Sequence, residues 1–381
     1  MNRLVVLLVG LLFAVSAISQ DRYLELRTNA NAYKDPNRQS EIVDKLKLTT
    51  DGTPLLLKLV SDRKENGYYH VEIPGGSGRT GWVYKSLVRG YDHAPAVEKP
   101  TPADDSTSSA AGSFGDCSVL FVGGKAPRAP DEATPLCEED GGVVFFASGY
   151  SKRDNHGYWS AYRLDEEQIV EMNENPRDRP NVKFRQNPKL VGHGYVQPRH
   201  ESYTGTEWDR GHLAPNGAMA WDEDAQKRSF IISNIAPQKP AMNRNIWRCF
   251  EYSIREWAEN SGSTFVVVGT TRSDAPPISS ERDPKGVKIN VPSHYLAMVY
   301  RSKPTPMAIG VMVPNTDGNL DIRKFIMPVA DLEKKTGFRF GIPKSIAADK
   351  PDLAQWPTRL VKKELLGKLP KIDQQCPRVD N

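Results

Sequence analysis

The chain has 381 residues, 38% of them hydrophobic and 26% charged, with 51 Lys and Arg against 47 Asp and Glu. Such a composition excludes whole-chain disorder and fibrous repeats, and the length suits two or three domains at roughly 150 residues each. Residues 1–100 carry 14 basic and 11 acidic side chains, which leaves 37 against 36 beyond them. Net charge therefore gives no support to a nucleic-acid partner, and any such reading must rest on particular residues.

Arg3 is followed by twelve apolar or glycine residues, Leu4 to Val15, and then by Ala17-Ile18-Ser19, where small residues occupy the positions a signal peptidase reads. Residues 1–19 are read as a secretory signal peptide. The run is shorter than the ~20 apolar residues a bilayer span needs, and no later segment approaches that length. A secreted protein, extracellular or periplasmic, is the expectation.

Residues 20–91 alternate short apolar runs with turns: Leu55 to Val60, Tyr68 to Ile73, a glycine-rich turn at Gly75-Gly76-Ser77-Gly78, then Gly81-Trp82-Val83. Several strands in some seventy residues predict a small β-barrel. The pattern YYHVEIP…GRTGWVYKSLV resembles the bacterial SH3-like domain, whose last strand carries a Gly-Trp-Val of this kind. The resemblance implies a tether to cell wall or to a protein partner; a passive stabilising appendage is the alternative. Residues 92–115, rich in Pro, Ala, Ser and Asp and lacking any apolar period, read as a flexible linker.

The larger module, residues 116–381, mixes two periods. Val143 to Phe146, Phe265 to Gly269, Tyr295 to Tyr300 and Met307 to Val313 read as buried strands. Met242, Ile246, Phe250, Ile254 and Trp257 fall at spacings of three or four, which predicts a half-buried helix from Met242 to about Glu259. Strands and helices without regular alternation indicate an α+β fold. Export makes Cys117, Cys137, Cys249 and Cys376 candidates for two disulfides, and the lack of any C-x-x-C pair weighs against zinc. Of the three possible pairings, Cys117–Cys137 and Cys249–Cys376 is favoured, the first closing a local loop and the second stapling the tail to the helix.

Chemistry concentrates between Tyr203 and Glu251. The run Asp209-Arg210-Gly211-His212 sets an acid, a cation and an imidazole beside a glycine that permits close backbone approach. Phosphodiester hydrolysis needs a base for water, positive charge for the crowded phosphorus and a cation for the leaving oxygen; His212 and Arg210 suit the first two. Downstream, Asn234 stands in Ser233-Asn234-Ile235-Ala236-Pro237-Gln238, and Glu251 follows Asn243 by eight residues. On an α-helix of 100° per residue that offset places both groups in one quadrant, about 12 Å apart along the axis. An amide oxygen and a carboxylate so arranged suit a hydrated hard cation. The plainer reading is a helix cap at Asn243 and a solvated Glu251.

DRGHLAP, SNIAPQKPAMNRNIW and RCFE, in this order, resemble the DNA/RNA non-specific endonuclease family, which includes Serratia-type nucleases and endonuclease G. The likeness continues through VVVGT, VPSHYLAMVY, AIGVMVPNT and ADLEKKTGFRF. It implies a ββα-metal nuclease acting on DNA and RNA around one magnesium ion, with manganese a possible substitute. Matched position by position, His212 is similar to the general base, Asn243 to the direct metal ligand, and Glu251 to the carboxylate that holds the metal's waters. Arg210 and Asn234 match residues near the scissile phosphate and its network, and Asp209 belongs to the motif, as a brace rather than an actor, with a substrate contact kept as its other reading. The family's upstream phosphate-binding Arg is not matched: the register puts Val182 there and leaves Arg179, Lys183 and Arg185 as substitutes. Lys227, Arg228, Arg244 and Arg248 are candidate backbone contacts. The implied activity is a secreted, sugar-non-specific endonuclease leaving 5′-phosphate ends. The alternatives are a relative restricted to one sugar or to single strands, and an inactive scaffold that binds wall or partner. Oligomeric state and the barrel's ligand stay open.

Overall fold

The computed structural model describes residues 23–26, 30–37, 40–47, 55–65, 68–75, 78–84, 87–91, 115–140, 143–259, 261–318, 321–360 and 376. Residues 1–19, read as a signal peptide, and nearly all of residues 92–115, read as a linker, lie outside them.

The first module is all-β. Its strands are Tyr23–Leu26, Ala30–Tyr33, Ile42–Leu46, Leu56–Glu65, Tyr68–Glu72, Thr80–Tyr84 and Val88–Tyr91, β1 to β7, in the antiparallel order β3-β2-β6-β5-β4-β1-β7. Leu24, Leu26, Ala32, Tyr33, Leu57, Tyr68, Val71 and Val83 are buried, by alternation in β1 and with a bulge at Ala32/Tyr33 in β2. Tyr68 meets Tyr33 and Tyr84 edge-on, at 6.0 and 5.0 Å between ring centres. This strongly bent small sheet is compatible with the SH3-like expectation.

The second module is built on a larger antiparallel sheet. The strands Thr134–Asp140, Val143–Ser151 and His156–Asp165 (β8 to β10) come first. The short pair Asp209–His212 and Ile235–Gln238 (β11, β12) follows, then Ser263–Thr271, His294–Arg301, Met307–Pro314 and Ile326–Met327 (β13 to β16). The sheet runs β16-β15-β14-β13-β10-β9-β8, and β11 pairs only with β12. Helices are Glu166–Glu174, Glu223–Arg228, Arg248–Ala258, Val329–Thr336 and Lys344–Ala348, α1 to α5. The fold is α+β, as expected.

Every residue of β9, and all but one of β10, is buried, because both faces of the sheet are covered. On one face α3 packs through Phe250, Ile254 and Trp257. On the other, α4 and α5 seat Val329, Leu332 and Ala347 beside Val267, Met298 and Phe338. Tight approach of the 232–234 turn to β10 needs Gly157, where a Cβ would stand 2.4 Å from the Ser233 carbonyl.

The expected helix from Met242 exists but does not begin as an α-helix. Met242–Trp247 is a π-helical turn that leads into α3. Such a turn widens the coil, so the angular offset computed for Asn243 and Glu251 on a pure α-helix does not hold. Both disulfides form with the favoured pairing: Cys117–Cys137, and Cys249–Cys376, which ties residue 376 to α3. Arg359 reinforces that tie by donating to the Cys376 carbonyl at 2.8 Å while gripping Glu256 at 2.7 and 3.0 Å. Among the described residues no helix is long and apolar enough to cross a membrane.

Candidate active site

The β11–β12 hairpin presents the DRGH residues. Asp209 pairs with Gln238 and His212 with Ile235. Gly211 is required between them: a Cβ there would lie 2.3 Å from the Gln238 side-chain oxygen and 2.7 Å from the Tyr295 hydroxyl.

His212 is buried between two aromatic rings, Phe184 at 5.4 Å and Phe230 edge-on at 5.1 Å, and its Nε2 has no hydrogen-bond partner. Burial, and then repulsion from Arg179, push its pKa down to about 3, so the imidazole is neutral at pH 7. The same two rings carry the flanking cations. Arg179 lies with Cζ 4.7 Å from the Phe230 centre, and Arg210 lies 5.7 Å from both Phe184 and Tyr203. Arg210 is aimed by its anchors: Nε and Nη2 donate to the His200 carbonyl at 3.1 and 2.5 Å, and Nη2 donates to Thr204 Oγ1 at 2.8 Å. These bonds leave Nη1 uncommitted.

Asn243 is not a helix cap. Its Nδ2 donates to Asp209 Oδ2 at 2.9 Å, and Oδ1 receives no hydrogen bond among the described residues. Nor is Glu251 a solvated surface acid: burial pushes its pKa up to about 7, against the pull of Arg255, Arg248 and Arg179. The Trp247 indole N–H faces that carboxyl without closing a hydrogen bond.

Among the described residues no three His, Cys, Asp or Glu side chains are grouped to cage a metal. The donors present, an amide oxygen that accepts no hydrogen bond among the described residues and a carboxyl eight residues on in the helix that follows, are the kinds a hard cation that keeps most of its waters takes, as magnesium does. They do not fit zinc or a histidine-ligated metal.

Three expectations need correction. Asn234 makes no surface available to a substrate: it is fully buried, and all four of its amide hydrogen-bonding positions are taken. Its Oδ1 accepts from Ser160 Oγ and the Ala214 N–H, both at 2.8 Å, while Nδ2 donates to the carbonyls of Ala214 and Ser229 at 2.8 and 2.9 Å. Asp209, and with it Arg244, is also not placed as a substrate contact. Both Asp209 oxygens are committed, since Arg244 donates Nε at 2.9 Å and Nη2 at 2.7 Å. Of the three upstream cations only Arg179 acts on both His212 and Glu251. Lys183 lies near His200, and Arg185 joins the Phe230–Ile232 backbone with its charge toward Glu138. Among the other candidate contacts, Lys227 pairs with Glu223 and Arg228 acts on Glu138.

Sequence reading missed Phe230, the second wall of the base, and the His200 carbonyl and Thr204 that aim Arg210. No one-dimensional signal marks a ring or a carbonyl that acts only through its neighbour. Arg179 was named among the three upstream cations, without a signal to set it above Lys183 and Arg185.

The DNA/RNA non-specific endonuclease model matches residues 139–344, more than half of the chain. The chain belongs to that family. It is 31% identical over 237 residues to "Nuclease EXOG, mitochondrial" of Xenopus laevis, covering 56% of this chain and 64% of that one. It is 26% identical over 235 residues to "Nuclease" of Nostoc sp., covering 58% and 79%. A solved chain of an EndoG/EndoGI complex aligns with a TM-score of 0.46 at 19% identity, covering 56% of this chain and 91% of that one. The chain spans about half to two thirds of the length of the EXOG relatives it matches. The family model leaves residues 1–138 unmatched.

Proposed function

We propose that the protein is a secreted, magnesium-dependent endonuclease that hydrolyses DNA and RNA with little sequence preference. The observation that carries this reading is the neutral, aromatic-walled His212 flanked by Arg179 and Arg210, on the hairpin whose Asp209 holds Asn243 with its amide oxygen free to meet a cation. His212 takes a proton from water as the oxygen attacks phosphorus in line. Arg210 through Nη1, and Arg179 from its seat on Phe230, hold the non-bridging oxygens and offset the charge that builds there. Asn243 would hold the magnesium through Oδ1, and Glu251 would hold its waters; manganese would serve in its place. When bound, the cation supplies Lewis-acid stabilisation to the departing 3′ oxygen, so the products carry 5′-phosphate and 3′-hydroxyl ends. Backbone contacts of this kind carry no base readout, which agrees with low sequence preference.

Domain limits of 20–91 for an SH3-like module, 92–115 for a linker and 116–381 for the nuclease belong to the same proposal. The first module would act as a tether to cell wall or to a protein partner. A signal peptide at 1–19 and two disulfides support export.

The test is incubation of purified protein with supercoiled plasmid and with structured RNA, in magnesium and in chelator, beside His212→Ala. Expected are cleavage of both, dependence on magnesium, a fall of roughly 10²–10⁴-fold in the variant, and fragments that ligate without phosphorylation. Cleavage unaffected by His212→Ala would refute the assignment, and intact nucleic acid under all conditions would favour the scaffold reading.

A further inference from the structure

Asp209 is held by three donor contacts, and their chemistry determines which way Asn243 points. A carboxylate can only accept hydrogen bonds. The Asn243 group that meets Asp209 Oδ2 at 2.9 Å must therefore be the amide nitrogen, and the amide oxygen is turned to the opposite side. Arg244, the next residue, reaches the same carboxylate from the π-helical turn with Nε at 2.9 Å and Nη2 at 2.7 Å. The Asn243 backbone is fixed as well, its N–H donating to the Lys239 carbonyl at 2.8 Å. Asp209 thus joins the hairpin to the π-helical turn through both residues. Asp209 is mostly shielded, at 17% exposed, while Arg244 is 61% exposed and neutralises it from the solvent side.

We propose that Asp209 is a positioning residue for metal binding: it selects the amide orientation in which Asn243 Oδ1 faces the cation, while Arg244 pairs with the same carboxylate from the solvent side without being needed for that choice. This rests on the reading of Asn243 as the metal ligand. Without Asp209 the Asn243 amide is free to rotate, and the cation must bear the cost of orienting it.

The experiment is calorimetric titration of the full chain with magnesium, without nucleic acid. Parent, Asn243→Ala, Asp209→Ala, Asp209→Asn, Arg244→Ala and the Asn243→Ala/Asp209→Ala double variant are compared, each checked for folding by circular dichroism. Asp209→Ala is expected to weaken magnesium by roughly 10-fold or more, as loss of a ligand's support usually does. Asp209→Asn keeps an oxygen to accept from Asn243, and is expected to stay within about threefold of the parent. Arg244→Ala leaves the Asp209–Asn243 bond in place and should bind at least as tightly as the parent. The double variant should be no weaker than Asn243→Ala, because Asp209 acts only through Asn243. If Asp209→Ala binds like the parent, if the single effects simply add, or if Asp209→Asn is as weak as Asp209→Ala, the positioning role is overturned while the metal site stands. If Asn243→Ala itself binds like the parent, the metal-ligand reading falls and this inference falls with it.

Discussion

Replacing Asn234 by Ala separates a residue that supports the active site from one that touches the substrate. Its amide makes four hydrogen bonds, all buried, to Ser160, to both backbone groups of Ala214, and to the Ser229 carbonyl. At about 1 kcal/mol for each bond the loss is about 4 kcal/mol, before counting the cavity or the buried Ala214 N–H left without an acceptor. Against the roughly 5–15 kcal/mol stability of an ordinary domain, that is a large fraction. The bonds also fix residue 214, two positions after His212, so the turn that follows the base is held by the same side chain. Urea unfolding of the second module, followed by tryptophan fluorescence, should show the midpoint collapse. Cleavage should fall in proportion to folded protein and recover on cooling or in stabilising sulfate. A variant of parental stability whose turnover is lost would refute the argument and restore Asn234 to the substrate.

Three further outcomes are expected. Arg179→Ala should lower cleavage by roughly 10²-fold or more, the usual worth of a preorganised charge at the reacting phosphate, whereas Lys183→Ala and Arg185→Ala should change it only severalfold; equal effects in a plasmid assay would contradict the placement of Arg179. The buried His212, with its pKa depressed to about 3, stays neutral in the folded state while the unfolded chain takes up a proton below about 6.5. Stability should therefore fall as pH drops from 6.5 toward 3, by about 2 kcal/mol at pH 5, and urea titrations of His212→Phe should lack that component. In the chain-entropy account, Cys249→Ser/Cys376→Ser, which opens a separation of 127 residues, should cost ~5 kcal/mol and Cys117→Ser/Cys137→Ser, separation 20, ~3 kcal/mol; the reverse order in urea would show that strain or residual structure dominates.

What was legible in the sequence was whatever lies close together along the chain. Strands with continuous apolar runs, the stripe that buries Phe250, Ile254 and Trp257, and the need for Gly211 all follow from local pattern, and each has its counterpart in the fold. The π-helical turn was not legible, because its cause is tertiary: Asn243 and Arg244 both reach back to Asp209, on a hairpin far upstream. Arg179 could not be singled out from Lys183 and Arg185 for a related reason. Its segment has no periodicity to fix a register, and only packing on Phe230 shows which of three cations faces the base. Asn234 illustrates the opposite error, a motif residue assigned to chemistry when its four bonds spend it on holding the loop.

The depressed pKa of His212 raises a difficulty that the proposed substrate resolves. A base that titrates near 3 is always neutral at pH 7, but it is also a poor proton acceptor, since general-base catalysis works best when the pKa lies near the working pH. Burial, the larger cause, stays when a phosphodiester arrives, but the charge around the imidazole changes. The diester's negative charge favours imidazolium, and it also screens Arg179, whose repulsion now lowers the pKa. The substrate should therefore raise the basicity of the group that attacks it, while the free protein keeps that group unprotonated. This leads to a specific difference between two pH profiles measured at saturating magnesium. The acid limb of kcat/KM reports the free protein and that of kcat the bound complex, so the His212 limb should lie at higher pH in kcat, by a unit or more. Arg179→Ala should narrow the gap, because part of the shift comes from neutralising that cation. Limbs that coincide in the parent, or a gap unchanged in Arg179→Ala, would show that substrate charge does not tune the base.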